Sequence, residues 1–534
     1  MPTASELIAR RLYNAGCRHA FGIPGGEVLS LIEALRGVGI KIVLARHENC
    51  AGFMGEGVHH FDRAPAILFG TIGPGIANAA NVIANATQDQ VPMIVLTGSV
   101  AAEERHTYTH QVFDHVKFCE PIAKAAFRVE KGTAAVIADK AIGLATEGRP
   151  GPVVLDVPID VQRGEEADSH PQRRPLAPMS PASGPSLDAA RHLLQDAERP
   201  LVIAGVDVLT EDCAGAVVGF CKTRGIPLIT SYKAKGILAE DDPLALGGAG
   251  LSPKADTRLL PLVEQSDCIV LAGYDPIEMR VGWRDPWPNP DRVIEISREP
   301  NRHHMHQAGF NFIGDIGATL QALSDGLEIK PTWPEGTPAK MREALKVDFK
   351  LDEEWGPAAI ADELQRALPR DAIVTTDSGA HRILLSQALE IYNPRGLLQS
   401  SALCTMGCAV PIAIGRKLAE PGRTVVATLG DAGLEMFMGE LATIRDLKLA
   451  IPIIVFVDEQ LALIELKQRG MQLPNLAVEF GATDFKAVAE ALGGHGVWVE
   501  DRQSLQSALE NAVSADRFTL IACRIGKCPY DNRL

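Results

Sequence analysis

The chain has 534 residues and a formal net charge of −15, and 46% of its residues are hydrophobic. This length exceeds a single domain and predicts about two to four of them. The acidic balance without a long basic run argues against nucleic-acid binding, and no apolar run approaches the roughly 20 residues that cross a bilayer. Ten cysteines without a CxxC pair are typical of reduced thiols, so we expect a cytoplasmic protein. From the charge and the apolar runs we expect neither nucleic-acid nor membrane partners.

Apolar runs of strand length alternate with helical patterns along the whole chain. The first segment, MPTASELIARRLYNAG, has the pattern of an amphipathic helix and not of a signal peptide. The alternation predicts an α/β fold in which mainly parallel sheets are flanked by helices. The predicted strands are, in chain order, HAFGI, IKIVLA, PAILFG, PMIVLTG, GPVVLDVP, PLVIAG, PLITS, CIVLAG, RVIEIS, AIVTTD, TVVATL, IPIIVFV and TLIACRI.

Two segments have the composition of linkers. Residues 164–186 are rich in proline, serine and charge, and residues 328–340 are rich in proline and glycine. They divide the chain into three predicted domains, 1–163, 187–327 and 341–534, each with several strand–helix units of its own.

In the first predicted domain, Glu48 follows a strand that we expect to be buried, at 42–45, and begins a helix of small residues. A glutamate in the first turn is ordinarily explained by the helix dipole. Two glycine turns, 24–26 and 73–75, follow other strands at the same sheet edge. By themselves they are ordinary turns and weak evidence for a site.

In the last predicted domain, residues 424–460 predict a strand, one helix with apolar residues from 434 to 447, and a second strand. The carboxyl ends of parallel strands meet at one sheet edge, so Asp431 and Asp458 can converge there. Ala432 and Gly433 at the helix start suit an anion. Two carboxylates beside an anion are compatible with a bridging Mg²⁺ ion.

A set of motifs in a fixed order extends this interpretation to the whole chain. They are FGIPGG, RHENCAGFMGEG, GTIGPGIANAANVIANATQDQVPMIVLTG, GRPGPVVLDVP, TDSGAH, CTMGCAVPIAIG and GDAGLEMFMGELATIRDLKLAIPIIVFVDE. Together they resemble the thiamine-diphosphate-dependent enzymes of the acetolactate synthase and pyruvate oxidase group. The YDPIE segment at 274–278 is most similar to the catabolic acetolactate synthases.

The resemblance implies the thiamine-diphosphate-binding fold for the first domain, which binds the pyrimidine, and for the last, which binds the diphosphate and Mg²⁺. It implies a site between the first domain of one copy and the last domain of another, hence a homodimer or homotetramer. It leaves open whether the central domain binds FAD, a nucleotide or nothing.

The resemblance also assigns roles to residues. Glu48 matches the glutamate that contacts N1′ of the aminopyrimidine, where a carboxyl able to hold a proton favours the imino form that deprotonates the thiazolium C2. Gln111 matches a glutamine near the reacting centre. Asp431, Asp458 and the main-chain carbonyl of Gln460 match the Mg²⁺ ligands. The expected cofactor-binding residues are Pro24, Gly25, Gly73, Gly379, Ala380, His381, Cys404, Met406, Gly430, Asp431, Ala432, Gly433, Leu461, Leu463 and Ile464.

Some positions depart from the family pattern. Ala432 replaces a glycine, which would cost ~1 kcal/mol or more if that residue needed a positive φ. Asp458 replaces an asparagine and adds negative charge beside the diphosphate. His110 and Lys467 replace a phenylalanine and a tryptophan of the biosynthetic enzymes, and Glu27 replaces a small residue. We expect His110 to be catalytic and to handle a proton. The alternative for His110 is a surface histidine, and the alternative for Lys467 is a solvated helix lysine.

The implied reaction begins with attack on a 2-oxo acid such as pyruvate and loss of CO₂ to give an enamine. Carboligation of the acetolactate synthase type is the first expectation. The alternatives are a 2-oxo-acid decarboxylase, an acyloin or 2-hydroxyacyl lyase, and a non-catalytic protein that keeps the fold. The histidines at 302–306 are expected in a solvated loop, and those at 59–60 at a helix end that suits the dipole.

Overall fold

The computed structural model describes residues 1–168, 179–277 and 279–534. Part of the first predicted linker, residues 169–178, and Glu278 of the YDPIE segment lie outside the described residues. Within these three ranges, none of the helices combines the length and apolar character that a membrane crossing requires.

The first of three parallel sheets lies within residues 19–158. Its strands are β1 (His19–Ile23), β2 (Lys41–Leu44), β3 (Ala66–Gly70), β4 (Met93–Ser99), β5 (Ala125–Arg128) and β6 (Pro152–Pro158). Its helices are α1 (Ala4–Asn14), α2 (Leu29–Gly37), α3 (Glu48–Asp62), α4 (Pro74–Asn78), α5 (Ala80–Gln88), α6 (His115–Cys119), α7 (Ala134–Thr146) and α8 (Ile159–Arg163). The strand order is β2-β1-β3-β4-β6-β5. The predicted N-terminal helix is α1, whose start is fixed by reciprocal hydrogen bonds between Thr3 and Glu6.

The second sheet lies within residues 200–313. Its strands are β7 (Pro200–Ala204), β8 (Leu228–Ser231), β9 (Ala245–Ala249), β10 (Cys268–Ala272), β11 (Val293–Ser297) and β12 (Phe310–Ile313), in the order β12-β11-β10-β7-β8-β9. Its helices are α9 (Pro185–Asp196), α10 (Val206–Thr210), α11 (Ala214–Arg224), α12 (Pro253–Gln265) and α13 (Ile316–Ser324), and α14 (Thr337–Asp348) follows.

The third sheet lies within residues 373–524. Its strands are β13 (Ile373–Thr376), β14 (Leu397–Gln399), β15 (Val425–Gly430), β16 (Pro452–Val457), β17 (His495–Val499) and β18 (Thr519–Arg524), in the order β14-β13-β15-β16-β18-β17. Its helices are α15 (Pro357–Ala367), α16 (Ala380–Ala388), α17 (Ala409–Ala419), α18 (Asp431–Phe437), α19 (Glu440–Asp446), α20 (Ala462–Gly470), α21 (Phe485–Ala491) and α22 (Arg502–Val513).

Three sheets of six parallel strands confirm the predicted α/β fold. The sheets lie inside the three predicted domains, whose exact limits stay a prediction. Interior strands are buried on both faces, because helices cover a parallel sheet on each side.

The first and third sheets share one hydrophobic core, in which helix α3 packs against helix α17. A Cβ atom on Gly57 would lie 2.2 Å from the carbonyl oxygen of Ile412, and one on Gly415 would lie 1.8 Å from that of Met54. The two glycines therefore let the helix that begins at Glu48 touch the backbone of the third domain.

Two local predictions about these elements are wrong. The strand before Glu48 is buried on one face only, because β2 is an edge strand in which Val43 is buried and Leu44 is 52% exposed. The helix predicted through 434–447 is two short helices, α18 and α19, separated at Met438 and Gly439.

Candidate active site

A cleft of about 120 Å³ lies at the carboxyl edge of the third sheet. It is lined by the segment after β13, the turn after β15, the turn after β16 and the start of α20. The expected site residues that line it are Gly379, Ala380, His381, Met406, Gly430, Asp431, Ala432, Gly433, Asp458, Gln460, Leu461, Leu463 and Ile464. The structure thus brings together the residues expected from the last domain, except Cys404, which lies two residues before Met406.

Two buried acidic residues face each other across this cleft. One carboxylate oxygen of Asp431 accepts hydrogen bonds from the backbone N–H groups of Asp458 (3.1 Å) and Glu459 (2.8 Å), and the other accepts one from Ala432 (2.8 Å). Burial raises the pKa of Asp431. Burial, reinforced by the charge of Asp431, raises the pKa of Asp458 to about 8.

This pair fits a hard divalent cation. Two like charges in one buried place are unfavourable unless a cation or a proton neutralises one of them. Carboxylate and carbonyl oxygens are the ligands that Mg²⁺ prefers. In the described part of the chain no group of three or more His, Cys, Asp and Glu side chains forms a metal site. A metal ion here would therefore need the Gln460 carbonyl and oxygens of its ligand in addition to Asp431 and Asp458.

Asp377 is buried and holds His381 and Gly430, which line the cleft, although no role was predicted for it from the sequence. It accepts hydrogen bonds from His381 Nε2 (2.8 Å) and from the backbone N–H groups of Gly407 (2.6 Å) and Gly430 (3.3 Å). The His381 ring also stacks on Phe456, with 5.3 Å between the ring centroids. Asp377 opens the quoted TDSGAH motif, and a buried acid directly after a strand was the available signal.

Glycine at 433 leaves room for this arrangement. A Cβ atom there would lie 2.0 Å from a carboxylate oxygen of Asp377. Ala432, by contrast, lies within helix α18 and is not among the residues with positive φ, so the alanine adds no backbone strain. The energetic cost that a positive φ at position 432 would carry is therefore absent.

The segment before Met406 has an irregular backbone. Cys404 adopts a left-handed conformation with φ 50°, and its thiol donates to the carbonyl oxygen of Ser401 over 3.3 Å. Met406 is half-buried and reaches the cleft.

The expected residues of the first domain form a separate group. Glu48 is buried at the start of α3, and its carboxylate accepts a hydrogen bond from the Asn78 amide over 3.0 Å. The start of α3 is fixed from the third domain, since Glu440 accepts from the backbone N–H groups of Arg46 (2.9 Å) and His47 (3.0 Å). Glu440 was not expected in the site, because no local pattern indicates a contact between residues so far apart.

The glycine turns of the first domain are closely packed. A Cβ atom on Gly25 would lie 2.0 Å from the Thr71 hydroxyl, which donates to Glu27 over 2.9 Å. Gly73 has φ 72°, and a Cβ atom there would lie 2.3 Å from the carbonyl oxygen of Gln111.

The remaining expected residues of this group are exposed. Pro24, His110 and Gln111 are exposed, and the His110 ring meets Tyr108 edge-on at 6.4 Å. Lys467 is exposed on α20. Among the described residues of one chain, the first-domain group does not line the cleft of the third domain.

Three family models match the chain in the order of its sheets. They describe the N-terminal TPP binding domain, the central domain and the C-terminal TPP binding domain of thiamine pyrophosphate enzymes, over residues 2–118, 187–323 and 377–523. The chain is 31% identical to the acetolactate synthase of Bacillus subtilis, over 96% of this chain and 91% of that protein. The chain belongs to the thiamine-diphosphate-dependent enzymes of the acetolactate synthase group.

Other relatives have comparable coverage. The chain is 28% identical to the large subunit of acetolactate synthase isozyme 1 of Escherichia coli, over 98% of this chain and 94% of that protein. It is 27% identical to the catabolic acetolactate synthase of Raoultella terrigena, over 96% of this chain and 92% of that protein.

Tyr530 also lines the cleft and was not expected there from the sequence. It lines the cleft beside Asp458 and is buried, near the C-terminus of the chain. Ion pairs from Arg533 to Glu353 and from Arg469 to Asp531 hold the terminal segment in place. A tyrosine so far from every motif gives no local signal.

The two histidine clusters are less solvated than expected. His306 is buried, 3.1 Å from the side chain of Asn301 and 3.4 Å from Glu295, so a fully solvated loop at 302–306 is wrong. His59 and His60 are enclosed between domains, where burial lowers the pKa of both well below the usual value.

Proposed function

We propose that this protein is a thiamine-diphosphate- and Mg²⁺-dependent carboligase that acts on 2-oxo acids such as pyruvate, as an acetolactate synthase does. The observation that carries this proposal is the buried Asp431–Asp458 pair in the cleft that also contains Gly379, His381 and Met406. It occurs in a chain that spans 91% to 94% of the named acetolactate synthases described above.

In this proposal the third domain holds the charged end of the cofactor. Asp431, Asp458 and the Gln460 carbonyl would hold Mg²⁺, and the backbone of residues 379–381 and 430–433 would face the diphosphate. Met406 and the Cys404 carbonyl would support the middle of the cofactor. Once bound, thiamine diphosphate supplies a nucleophilic carbon and an electron sink for decarboxylation.

The first domain would then provide Glu48, whose buried carboxyl would hold the proton at the cofactor's N1′ atom. Asn78 fixes this carboxyl through its hydrogen bond of 3.0 Å. Gln111 and His110 would lie near the substrate.

A second copy of the chain would bring the two groups together. Exposed apolar side chains occur beside both groups along the chain: Leu44 and Phe113 close in sequence to Glu48 and Gln111, Met436 close to Gly433, and Ile464 in the cleft itself. Apolar surface of this kind is typical of a protein interface. We therefore propose a homodimer or a dimer of dimers, which size-exclusion chromatography with light scattering tests directly.

A decarboxylase or lyase of the same family is the second candidate. Exposed His110 and Lys467 stand where biosynthetic family members have phenylalanine and tryptophan, and a polar pocket favours proton transfer to the intermediate over a second carbonyl substrate.

The test is an assay of the purified protein with pyruvate, thiamine diphosphate and Mg²⁺, in which CO₂, acetolactate and acetaldehyde are measured. We expect CO₂ release with acetolactate as the main product, and a loss of at least about 100-fold in Glu48→Gln. Glu33→Gln, at an exposed glutamate of the same domain, is the matched control. Acetaldehyde as the main product would support the second candidate, and no CO₂ from any 2-oxo acid in a panel would contradict both.

A further inference from the structure

One face of the helix pair α4–α5 carries a row of polar side chains. Asn78, Asn81, Asn85 and Asp89 follow one another at intervals of three or four residues, which places them on one side of a helix. Asn85 and Asp89 are buried, although a surface helix would ordinarily turn such residues to water. Their partners must therefore lie in the protein.

Those partners lie in the third domain, in the segment 400–406 that ends at Met406. Asn85 accepts a hydrogen bond from the Ser400 hydroxyl over 2.7 Å. Asp89 accepts from the backbone N–H groups of Ser401 (3.0 Å) and Ala402 (3.0 Å). The Asn81 amide donates to the Thr405 hydroxyl over 2.9 Å. Three side chains of the row thus hold this segment at both of its ends.

The segment is closed on itself by the same contacts. The Ser400 hydroxyl, which donates to Asn85, accepts from the backbone N–H of Thr405 over 3.0 Å. Cys404, inside this closed turn, has φ 50°, a conformation that non-glycine residues keep only where surrounding contacts impose it. The row of side chains provides such contacts.

The charge of Asp89 is paired by the central domain. Lys233 Nζ lies 2.8 Å from the Asp89 carboxylate and also donates to the carbonyl oxygen of Gln399 over 3.2 Å. A buried carboxylate is tolerated when it is paired and hydrogen-bonded in this way. The central domain therefore contacts both the row and residue 399, directly before the segment.

The other end of the row reaches Glu48. The Asn78 amide donates to the Glu48 carboxylate over 3.0 Å. The Asn81 amide donates over 3.1 Å to the side-chain oxygen of Asn49, which follows Glu48 in the chain. One element of the first domain is thus hydrogen-bonded to the start of α3 and to the segment before Met406.

We propose that Asn81, Asn85 and Asp89 are positioning residues for the segment 400–406, and that they fix the backbone on which Cys404 and Met406 meet the cofactor. The proposal rests on the proposed function for the identity of that cofactor. It does not depend on which 2-oxo acid is the substrate or on whether ligation or decarboxylation follows. Without the row, the segment moves and the affinity for thiamine diphosphate falls.

The test combines hydrogen exchange with cofactor binding in the full-length protein. Asp89→Asn replaces one acceptor oxygen by a donor and removes the charge that faces Lys233. Asn81→Ala, at a half-buried position, is a milder second variant in case the first does not fold. Asp446→Asn is the control, because the Arg46–Asp446 ion pair also joins the first and third domains but lies at the partly exposed start of α3 and end of α19.

In the protein without cofactor, we expect amide exchange in the peptide 400–406 to accelerate by about tenfold or more in both variants, because each loses a hydrogen bond to this segment. Strands β15 and β16 should keep their protection. The dissociation constant of thiamine diphosphate should rise by about fivefold or more in both and stay within about twofold in the control.

Unchanged exchange in the peptide, or faster exchange with unchanged cofactor affinity, would overturn the proposal. A failure of the unmodified protein to bind thiamine diphosphate at any Mg²⁺ concentration would instead contradict the proposed function, and the exchange measurement would still decide whether the row holds the segment.

Discussion

The carboxylate of Asp431 accepts a hydrogen bond from the backbone N–H of Asp458 over 3.1 Å. The two acids that end the neighbouring strands β15 and β16 are therefore locked to each other before any cation binds. Both remain buried, and their mutual repulsion is relieved when a divalent ion neutralises them.

This relationship predicts a specific metal dependence for Asp458→Asn. The substitution keeps an oxygen for Mg²⁺ and removes one buried negative charge, so the affinity for thiamine diphosphate should depend less steeply on Mg²⁺ than in the unmodified protein. Cofactor titrations at a series of Mg²⁺ concentrations, with chelator as the lowest point, measure the two slopes. Equal slopes would show that the extra charge of Asp458 has no part in binding.

Neighbouring positions at the turn after β15 should respond to substitution to different extents. In Gly433→Ala the new Cβ atom meets the Asp377 carboxylate, so we expect a loss of about 1–3 kcal/mol in stability and weak cofactor binding. Ala432→Gly is the matched control and should lose only about 1 kcal/mol of helix propensity, since Ala432 is helical. Thermal unfolding measures the stability of the two variants, and cofactor titration measures their affinity for the cofactor. Equal losses in the two variants would contradict the assigned packing.

The contact between α3 and α17 should tolerate no side chain at Gly57. Because its Cβ atom would lie 2.2 Å from the carbonyl oxygen of Ile412, Gly57→Ala should destabilise the protein by about 1–3 kcal/mol. Gly37→Ala, at the end of α2 with no atom within 4 Å of the added carbon, should be nearly neutral. Chemical denaturation followed by circular dichroism compares the two. Equal midpoints would place the domain contact elsewhere.

Stability should depend on pH through Glu211 in the central domain. Burial raises the pKa of Glu211 from its ordinary value to about 7, and its carboxylate accepts from the backbone N–H of Ile316 over 2.9 Å. The folded state therefore binds a proton that the unfolded state releases, and stability falls as the pH rises from about 4.5 towards 7.

Glu211→Gln keeps an acceptor for Ile316 and no longer titrates, so the decrease in melting temperature between pH 5 and pH 7 should be smaller in this variant. Glu33→Gln, at an exposed position, serves as the control. A decrease of the same size in Glu211→Gln and the unmodified protein would exclude Glu211 as its source.

The sequence predicted thirteen of the strands, and the five that it missed in the described chain are β5, β9, β12, β14 and β17. Each of these five is the outermost strand of its sheet. Interior strands are covered on both faces and read as continuous apolar runs, whereas an edge strand is short or partly exposed and lacks that pattern. β12, with burial only at Phe312, illustrates the difference.

Local sequence also explains which parts of the site were foreseen. Asp431 and Asp458 each end an apolar strand, and the rule that parallel strands share a carboxyl edge is sufficient to bring them together. Glu440 and Tyr530 were missed because their partners are remote in sequence, and no pattern of neighbours indicates such contacts. Asp377 was missed although its place directly after strand β13 was a local signal.

The sequence by itself determined the α/β class, the order of the interior strands along the chain and the sheet edge at which the two acids meet, because these follow from local apolar runs and the geometry of parallel strands. Only the tertiary structure decided that Glu440 fixes the start of α3, and that Asn81, Asn85 and Asp89 hold the segment before Met406. These arrangements depend on close packing between domains, where a glycine at 57 or 415 sets the distance between two backbones. That information lies in pairs of distant residues and not in any one stretch of the chain.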